Sequence, residues 1–387
     1  MISKIKQWFS QIDKQVLIAV LALSFIGILA VSSASQTFAG GALFYFIRQF
    51  IFILLGIFLV IFITVLPDSY KMMSNKKLIL ILSGILLALL LYARFAGTVA
   101  QGTGAYGWIQ LIAGFTIQPA EFAKIMVILV VASYYLDRLN AKNQDLSKKW
   151  NSLDWPTFLI PAVFIGLIIS MPDLGNAIIV TFIFLVVYLS SGIKPLLTYF
   201  VSGATVVLTI LLPFIVRALP SSLLKSNYQL MRFVVFENPW PYYNSQGLQV
   251  VRSLLAISRG GLFGQGAGQS VVKSTLPVSN TDFIMAVIGE EFGLLGILVI
   301  LSLYFWLVFR IFYVSVNSKS LFNRIVLNGI GGYFFIQALV NLGGITALLP
   351  MTGVTFPFIS YGGTSLLVSF IAIGIVLKIF AEEKTNQ

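Results

Sequence analysis

In the stretch Asn280-Thr281-Asp282-Phe283-Ile284-Met285-Ala286-Val287-Ile288-Gly289-Glu290-Glu291, three carboxylic acids punctuate an apolar run. The chain has no His and no Cys, which excludes imidazole bases, thiol nucleophiles, disulfides and Cys/His metal sites. Proton transfer is left mainly to Asp, Glu, Lys and Tyr. Asp282 stands where a long loop becomes an apolar helix, behind Ser279, Asn280 and Thr281. An acid there can satisfy free N–H groups at the start of a helix and meet the positive end of its dipole. Half desolvated at a bilayer boundary, it can instead accept a proton from a bound substrate. Glu290 and Glu291 follow about 12 Å further along a helix axis. That spacing predicts them inside the hydrocarbon layer, in a structural role, too far away to share a reacting atom with Asp282.

Other charged and aromatic positions have two readings each. In Gln118-Pro119-Ala120-Glu121-Phe122-Ala123-Lys124, Pro119 suits a first helical turn and Glu121 and Lys124 share one helix face. They form either a local ion pair or a site at which Lys124 meets an anionic head group. Met171-Pro172-Asp173-Leu174-Gly175-Asn176 reads as a tight turn with Asp173 at the interface. Trp108, in Gly104-Ala105-Tyr106-Gly107-Trp108, reads as an interfacial anchor or a ligand contact. The glycines of Gly264-Gln265-Gly266-Ala267-Gly268 lack the strand and helix that a phosphate-cradling loop requires. Gln337 and Asn341 read as interhelical hydrogen-bonding residues.

The elements that must position these groups are membrane spans. The chain has 387 residues, of which 58% are hydrophobic and 10% charged, and its mean hydropathy is +0.95. A soluble fold cannot cover that much apolar surface with so little charge, so lipid must serve as the solvent. A ruler of about 20 apolar residues predicts an all-α, polytopic protein of about ten transmembrane helices. These lie near 15–35, 47–66, 77–95, 117–136, 156–171, 174–190, 195–216, 283–313, 325–349 and 361–381. They form one integral-membrane domain, 1–387, containing a long extracytoplasmic loop, 217–281, rich in aromatics and Gly. Ser32-Ser33-Ala34-Ser35 could pass for a cleavage site, but the run before it is long enough to span. The net charge of +12 reflects topology rather than nucleic-acid binding. Lys14, Lys71, Lys76, Lys77, Lys194, Arg310, Lys319, Arg324, Lys378 and Lys384 fall in alternate connections, which predicts both termini in the cytoplasm.

The segment Leu349-Pro350-Met351-Thr352-Gly353-Val354-Thr355-Phe356-Pro357-Phe358-Ile359-Ser360-Tyr361-Gly362-Gly363-Thr364-Ser365 resembles the signature of the SEDS family (shape, elongation, division and sporulation) of bacterial cell-wall polymerases. Gln118-Pro119-Ala120-Glu121, Pro172-Asp173-Leu174-Gly175 and Thr281-Asp282-Phe283-Ile284 through Gly289-Glu290-Glu291 fall in the family's order. Asn238-Pro239-Trp240 and Gly266-Ala267-Gly268-Gln269-Ser270-Val271-Val272-Lys273 are closer to its division-type than to its elongation-type members. The resemblance implies a peptidoglycan glycosyltransferase that polymerises lipid II beside a class B penicillin-binding protein and other division proteins, in the cytoplasmic membrane at the septum. It also implies that Asp282 is the catalytic carboxylate. Two departures stand out: Val278 follows Leu276-Pro277 where members commonly carry Glu, and Gly107 precedes Trp108 where many carry Arg.

For such a reaction Asp282 would take the proton of the acceptor 4-hydroxyl as it attacks the anomeric carbon. Candidate substrate contacts are Lys124, Glu121, Trp108, Asp173, Arg232, Arg252 and Ser360. Lys124, Arg232, Arg252 or a divalent cation (Mg or Mn) would offset the pyrophosphate charge. The rival readings are an elongation-type polymerase of the same chemistry, a lipid II flippase using the buried charges, and a division scaffold.

Overall fold

The computed structural model describes residues 12–66, 69–98, 106–111, 115–140, 155–191, 203 and 228–385. The expected span at 195–216 and the first part of the long loop lie outside the described residues, apart from residue 203. The described helices are α1 (Lys14–Ala34), α2 (Gly41–Val65), α3 (Ser69–Ser74), α4 (Lys76–Ala96), α5 (Pro119–Asn140), α6 (Trp155–Ser170), α7 (Leu174–Ser190), α8 (Tyr228–Glu237), α9 (Leu248–Gly260), α10 (Ile284–Asn317), α11 (Leu321–Ile345) and α12 (Gly363–Thr385). Six of these are long and apolar enough to cross a bilayer, and α6 and α7 are shorter apolar helices. The chain is a multi-pass membrane protein. One two-stranded antiparallel hairpin, β1 (Ile109–Gln110) and β2 (Thr116–Ile117), precedes α5.

Local chemistry explains where the helices begin. Asp13 caps α1 by accepting from the N–H groups of Gln15 and Val16 at 3.0 and 3.2 Å. Asn75 caps α4, Asp173 caps α7 and Ser320 caps α11 in the same way. Pro119 opens α5, where its missing N–H costs nothing. The α11 and α12 helices form the buried centre, while α2, α4 and most of α10 present Leu, Ile and Phe outward, as lipid-facing helices must.

The two ends of the bundle differ. At one end Arg310 pairs with Asp13 at 2.8 Å. There also Glu383 accepts from Ser318 and Asn323, and the Tyr70 hydroxyl reaches Asn323 at 2.9 Å. Both described chain ends therefore lie on this face. The opposite face gathers the turn at 35–40, the β1–β2 hairpin, the 171–173 turn, the long loop from 228 and the 346–362 segment.

The α10 helix is not one straight rod. Gly293 has φ 66° and ψ −165°, a conformation open to glycine and closed to other residues. The backbone groups released there pair with the glycine-rich turn that follows α9. Leu294 and Leu295 N–H donate to the carbonyls of Gly261 and Leu262 at 2.9 and 3.1 Å. Gln265 and Gly266 N–H donate to those of Glu290 and Glu291, both at 2.9 Å. The turn at 260–268 thus works as a strand-like splint for a broken helix.

Candidate functional site

Asp282 lies in the turn just before α10, at the face opposite the chain ends. The helix starts at Phe283 with no side-chain cap, so the carboxylate is not spent on helix capping. It is partly buried, and a Cβ on Gly353 would stand 3.4 Å from its Oδ2. Gly353 has φ +77°, so the backbone beside the carboxylate adopts a form that favours glycine. Burial pushes the Asp282 carboxyl up to about 6, against the lowering influence of the Arg232 guanidinium and a Thr281 hydrogen bond, while the Asp173 charge raises it further. A base with that value stays mostly ionised at neutral pH yet holds a proton more firmly than an exposed Asp.

The carbonyls around Asp282 are held by the 349–365 segment and by α11. Tyr361 N–H donates to Asn280 O at 2.9 Å. The Ser360 hydroxyl donates to Thr281 O at 2.7 Å and accepts from Phe356 N–H at 2.8 Å. Asn341 Nδ2 donates to Asp282 O at 2.8 Å and to Val354 O at 2.7 Å. Ser360, expected among the substrate contacts, therefore spends its hydroxyl on backbone, and Asn341, expected to bond another helix, instead holds two carbonyls outside the helices.

Asp173, the second acid near Asp282, is fully engaged. Its Oδ1 accepts from Asn176 N–H at 3.1 Å, and its Oδ2 accepts from Gln118 Nε2 and Asn176 Nδ2, both at 2.8 Å. It ties the 171–173 turn to the start of α5, and Gln229 of α8 donates to the neighbouring Pro172 carbonyl. Arg232, three residues further along α8, lines a small cleft with Phe236, Gln246, Val250, Leu349 and Met351. Arg252 instead donates to the Thr275 carbonyl within the long loop. Trp108 is half-buried and accepts from Thr98 N–H at 2.8 Å through its carbonyl.

Lys124 and Glu121 do form the expected pair, at 2.8 Å, and Lys124 also donates to Gln337 Oε1 at 2.9 Å. Gln337 donates in turn to Thr355 O and Ser365 Oγ at 3.1 and 3.2 Å. Lys124 is fully buried. The pair is a sealed element of the bundle centre, and its polar chain ends on the signature segment that holds Asp282.

Glu290 and Glu291 take their partners from the end of α1 and from the long loop. Glu291 accepts from the Ser33 hydroxyl at 2.6 Å and lies 3.8 Å from Lys273. Glu290 accepts from Ser270 Oγ at 2.5 Å and Val272 N–H at 3.1 Å, with Arg259 at 3.7 Å. Ser33 is at the end of α1 beside Ser35, which binds Asn280 at 3.0 Å. Both acids sit inside protein beside loop cations, and the long loop folds back over them. The break at Gly293 lies beyond them, and their contacts lock the start of α10 to α1 and the long loop. Lys273, buried and donating to Gln36 Oε1 at 2.6 Å and Gly268 O at 2.5 Å, belongs to the same lock. Lys273 closes the Gly266–Lys273 stretch singled out above, but nothing there marked it as a partner of the two acids.

A family model described as cell cycle protein, FtsW, RodA and SpoVE, matches residues 13–385. The chain belongs to this FtsW/RodA/SpoVE family. Among curated relatives, a protein of Bacillus subtilis (strain 168), named probable peptidoglycan glycosyltransferase FtsW, is 35% identical, with 97% of this chain and 92% of the relative covered. An Enterococcus hirae protein of the same name is 36% identical, with 97% and 95% covered. Among solved structures, one described as a peptidoglycan synthase complex coordinating polymerization and crosslinking aligns with a TM-score of 0.73 at 26% identity, covering 96% of this chain and 98% of that one. The rod shape determining protein RodA of Thermus thermophilus aligns with a TM-score of 0.65 at 26% identity, covering 96% and 97%. The FtsW/RodA/SpoVE match spans nearly the whole chain, so the site residues lie within it.

Proposed function

We propose that the chain is a division-type peptidoglycan glycosyltransferase that polymerises lipid II at the outer face of the cytoplasmic membrane, and that Asp282 is its base. One observation carries this reading: the only acid here left out of a cap or ion pair among those at 173, 282, 290 and 291 is Asp282, half desolvated beside a cationic Arg232. In the reaction the acceptor sugar 4-hydroxyl attacks the donor anomeric carbon. The bond from that carbon to the lipid pyrophosphate breaks with inversion, and the hydroxyl proton passes to Asp282. Arg232 offsets the charge of the departing pyrophosphate. Lys124 is less suited to that task, because Glu121 and Gln337 already occupy its ammonium.

Among the described residues no group of three or more acids could hold a metal ion. Asp173 already accepts three hydrogen bonds and Asp282 is the proposed base, so a divalent cation would be held chiefly by the substrate phosphates. Bound there, a divalent cation would add charge neutralisation to that of Arg232. The face that carries both chain ends also carries Lys71, Lys76, Lys77, Lys319 and Arg324, which supports a cytoplasmic assignment for it and an outer one for Asp282. A class B penicillin-binding protein is the partner that would crosslink the product, at the division septum.

The test is glycan formation from purified lipid II by the reconstituted chain, alone and with its cognate transpeptidase. Polymer from wild type and none from Asp282→Asn is expected. Translocation of lipid II across the vesicle bilayer without polymer would replace this reading with a flippase. Normal division in cells carrying Asp282→Asn would point to a scaffold.

A further inference from the structure

The start of α10 contains an anomaly of register. Had the helix begun one residue earlier, Asp282 O would accept from Ala286 N–H, and the carboxylate would stand at the capping position, facing the free N–H groups. Instead Ala286 N–H turns to Phe283 O at 2.9 Å, and Asp282 O is taken by Asn341 at 2.8 Å. The carbonyls of Asn280 and Thr281 are taken as well, by Tyr361 N–H and the Ser360 hydroxyl. Three successive carbonyls are thus drawn toward α11 and the signature segment. Both hydrogens of the Asn341 amide are used, on Asp282 O and Val354 O, which fixes its orientation. The Ser360 hydroxyl is fixed likewise, donating to Thr281 O and accepting from Phe356 N–H. Ser360 and Asn341 are buried, so these bonds do not compete with water.

We propose that Asn341 and Ser360 are positioning residues that hold Asp282 out of helix α10, so that its carboxylate faces substrate instead of capping the helix. This rests on the reading of Asp282 as the base. Neither residue touches the reacting atoms; each acts through the backbone of the turn. When either grip is lost, the helix gains a residue at its start and the carboxylate swings to the free N–H groups. There it is stabilised as an anion and misdirected. The binding groups for lipid II are untouched.

The experiment compares full-length wild type, Asn341→Ala, Ser360→Ala, Ser360→Thr and Ser302→Ala, reconstituted with the cognate transpeptidase. Ser302 bonds only its own helix, at Leu298 O, and serves as control. Asn341→Ala and Ser360→Ala are expected to lose roughly 10–100-fold in kcat, a fraction of what a general base supplies, with KM for lipid II within about twofold of wild type on that same argument. Ser360→Thr, which keeps the hydroxyl, recovers most of the rate, and Ser302→Ala matches wild type. The readout that mere destabilisation does not move is the carboxyl titration of Asp282. It is followed by infrared difference spectroscopy and assigned with Asp282→Asn, and it falls toward the ordinary Asp range in both Ala variants. Unchanged titration and kcat in Ser360→Ala and Asn341→Ala would overturn the proposal, as would a loss confined to KM. If wild type forms no polymer, the enzymatic reading fails, whereas the infrared titration still decides whether the two residues orient the carboxylate.

Discussion

Replacing Asp282 by Asn should trade activity for stability, and the size of both effects can be worked out. The carboxyl is raised from 3.8 to about 6 by burial, so the folded state binds its proton more tightly than the unfolded chain does. Between those two values the folded state holds a proton that the unfolded state has lost. Stability therefore falls as pH rises through the window from about 4 to about 6, and the penalty is complete above it. At 1.36 kcal/mol for each tenfold change the gap amounts to about 3 kcal/mol. The influence of Arg232 is already contained in that value, and partial exposure of the group reduces the figure to about 1–3 kcal/mol. Asn is isosteric and carries no charge, so Asp282→Asn should recover most of it at pH 7.5 and little at pH 4. For a chain of this length that corresponds to about 1–4 °C in Tm. The same substitution removes the proposed base and should cost at least about 10²–10⁴ in polymerisation rate. The assay is thermal unfolding in detergent at both pH values, alongside glycan synthesis from lipid II. An Asn variant that is inactive but no more stable at pH 7.5 would refute the claim that the carboxylate is held desolvated in the resting protein.

Three further outcomes follow from other parts of the structure. Arg232→Gln removes a charge that lowers the Asp282 carboxyl, so the acid limb of the rate profile should move above pH 6 and activity at pH 6.5 should drop more than at pH 8. Lys124→Met leaves Glu121 buried without its cation and should cost about 3–5 kcal/mol. Adding Glu121→Gln should restore part of this loss, and a double-mutant cycle on Tm measures the coupling. Gly293→Ala places a Cβ 2.5 Å from the backbone of Leu262 and Gly264 at φ 66°, which should cost more than about 2 kcal/mol and expose the 260–268 turn to proteolysis.

The spans were legible because hydropathy is a statement about solvent. Nine of the ten expected spans coincide with described helices, and α2 merely starts earlier, at Gly41, where the preceding turn is glycine. The Glu121–Lys124 pair was legible because helical spacing brings the two together regardless of tertiary context. The lock around Glu290 and Glu291 was not. Its partners Ser33, Arg259, Ser270 and Lys273 come from the end of α1 and from the long loop, and no periodicity encodes such separations. Gly293 looked like any tolerated glycine in an apolar helix, because its strain is relieved by backbone pairing with residues some thirty positions earlier. Asn341 had a legible chemical type but an illegible target, since that target is a main-chain carbonyl with no side-chain identity.

The fracture at Gly293 has a mechanical meaning. Downstream of it, α10 turns Leu298, Phe305 and Phe309 outward, while Tyr304 bonds the Phe334 carbonyl of α11 and Arg310 pairs with Asp13. Upstream, the short stub that follows Asp282 is held to protein at both ends, by the brace on the carbonyls leading into it and by the splint at its tail. The two parts of α10 are thus tied to different neighbours, and the splint between them presents Leu262 and Phe263 at the surface.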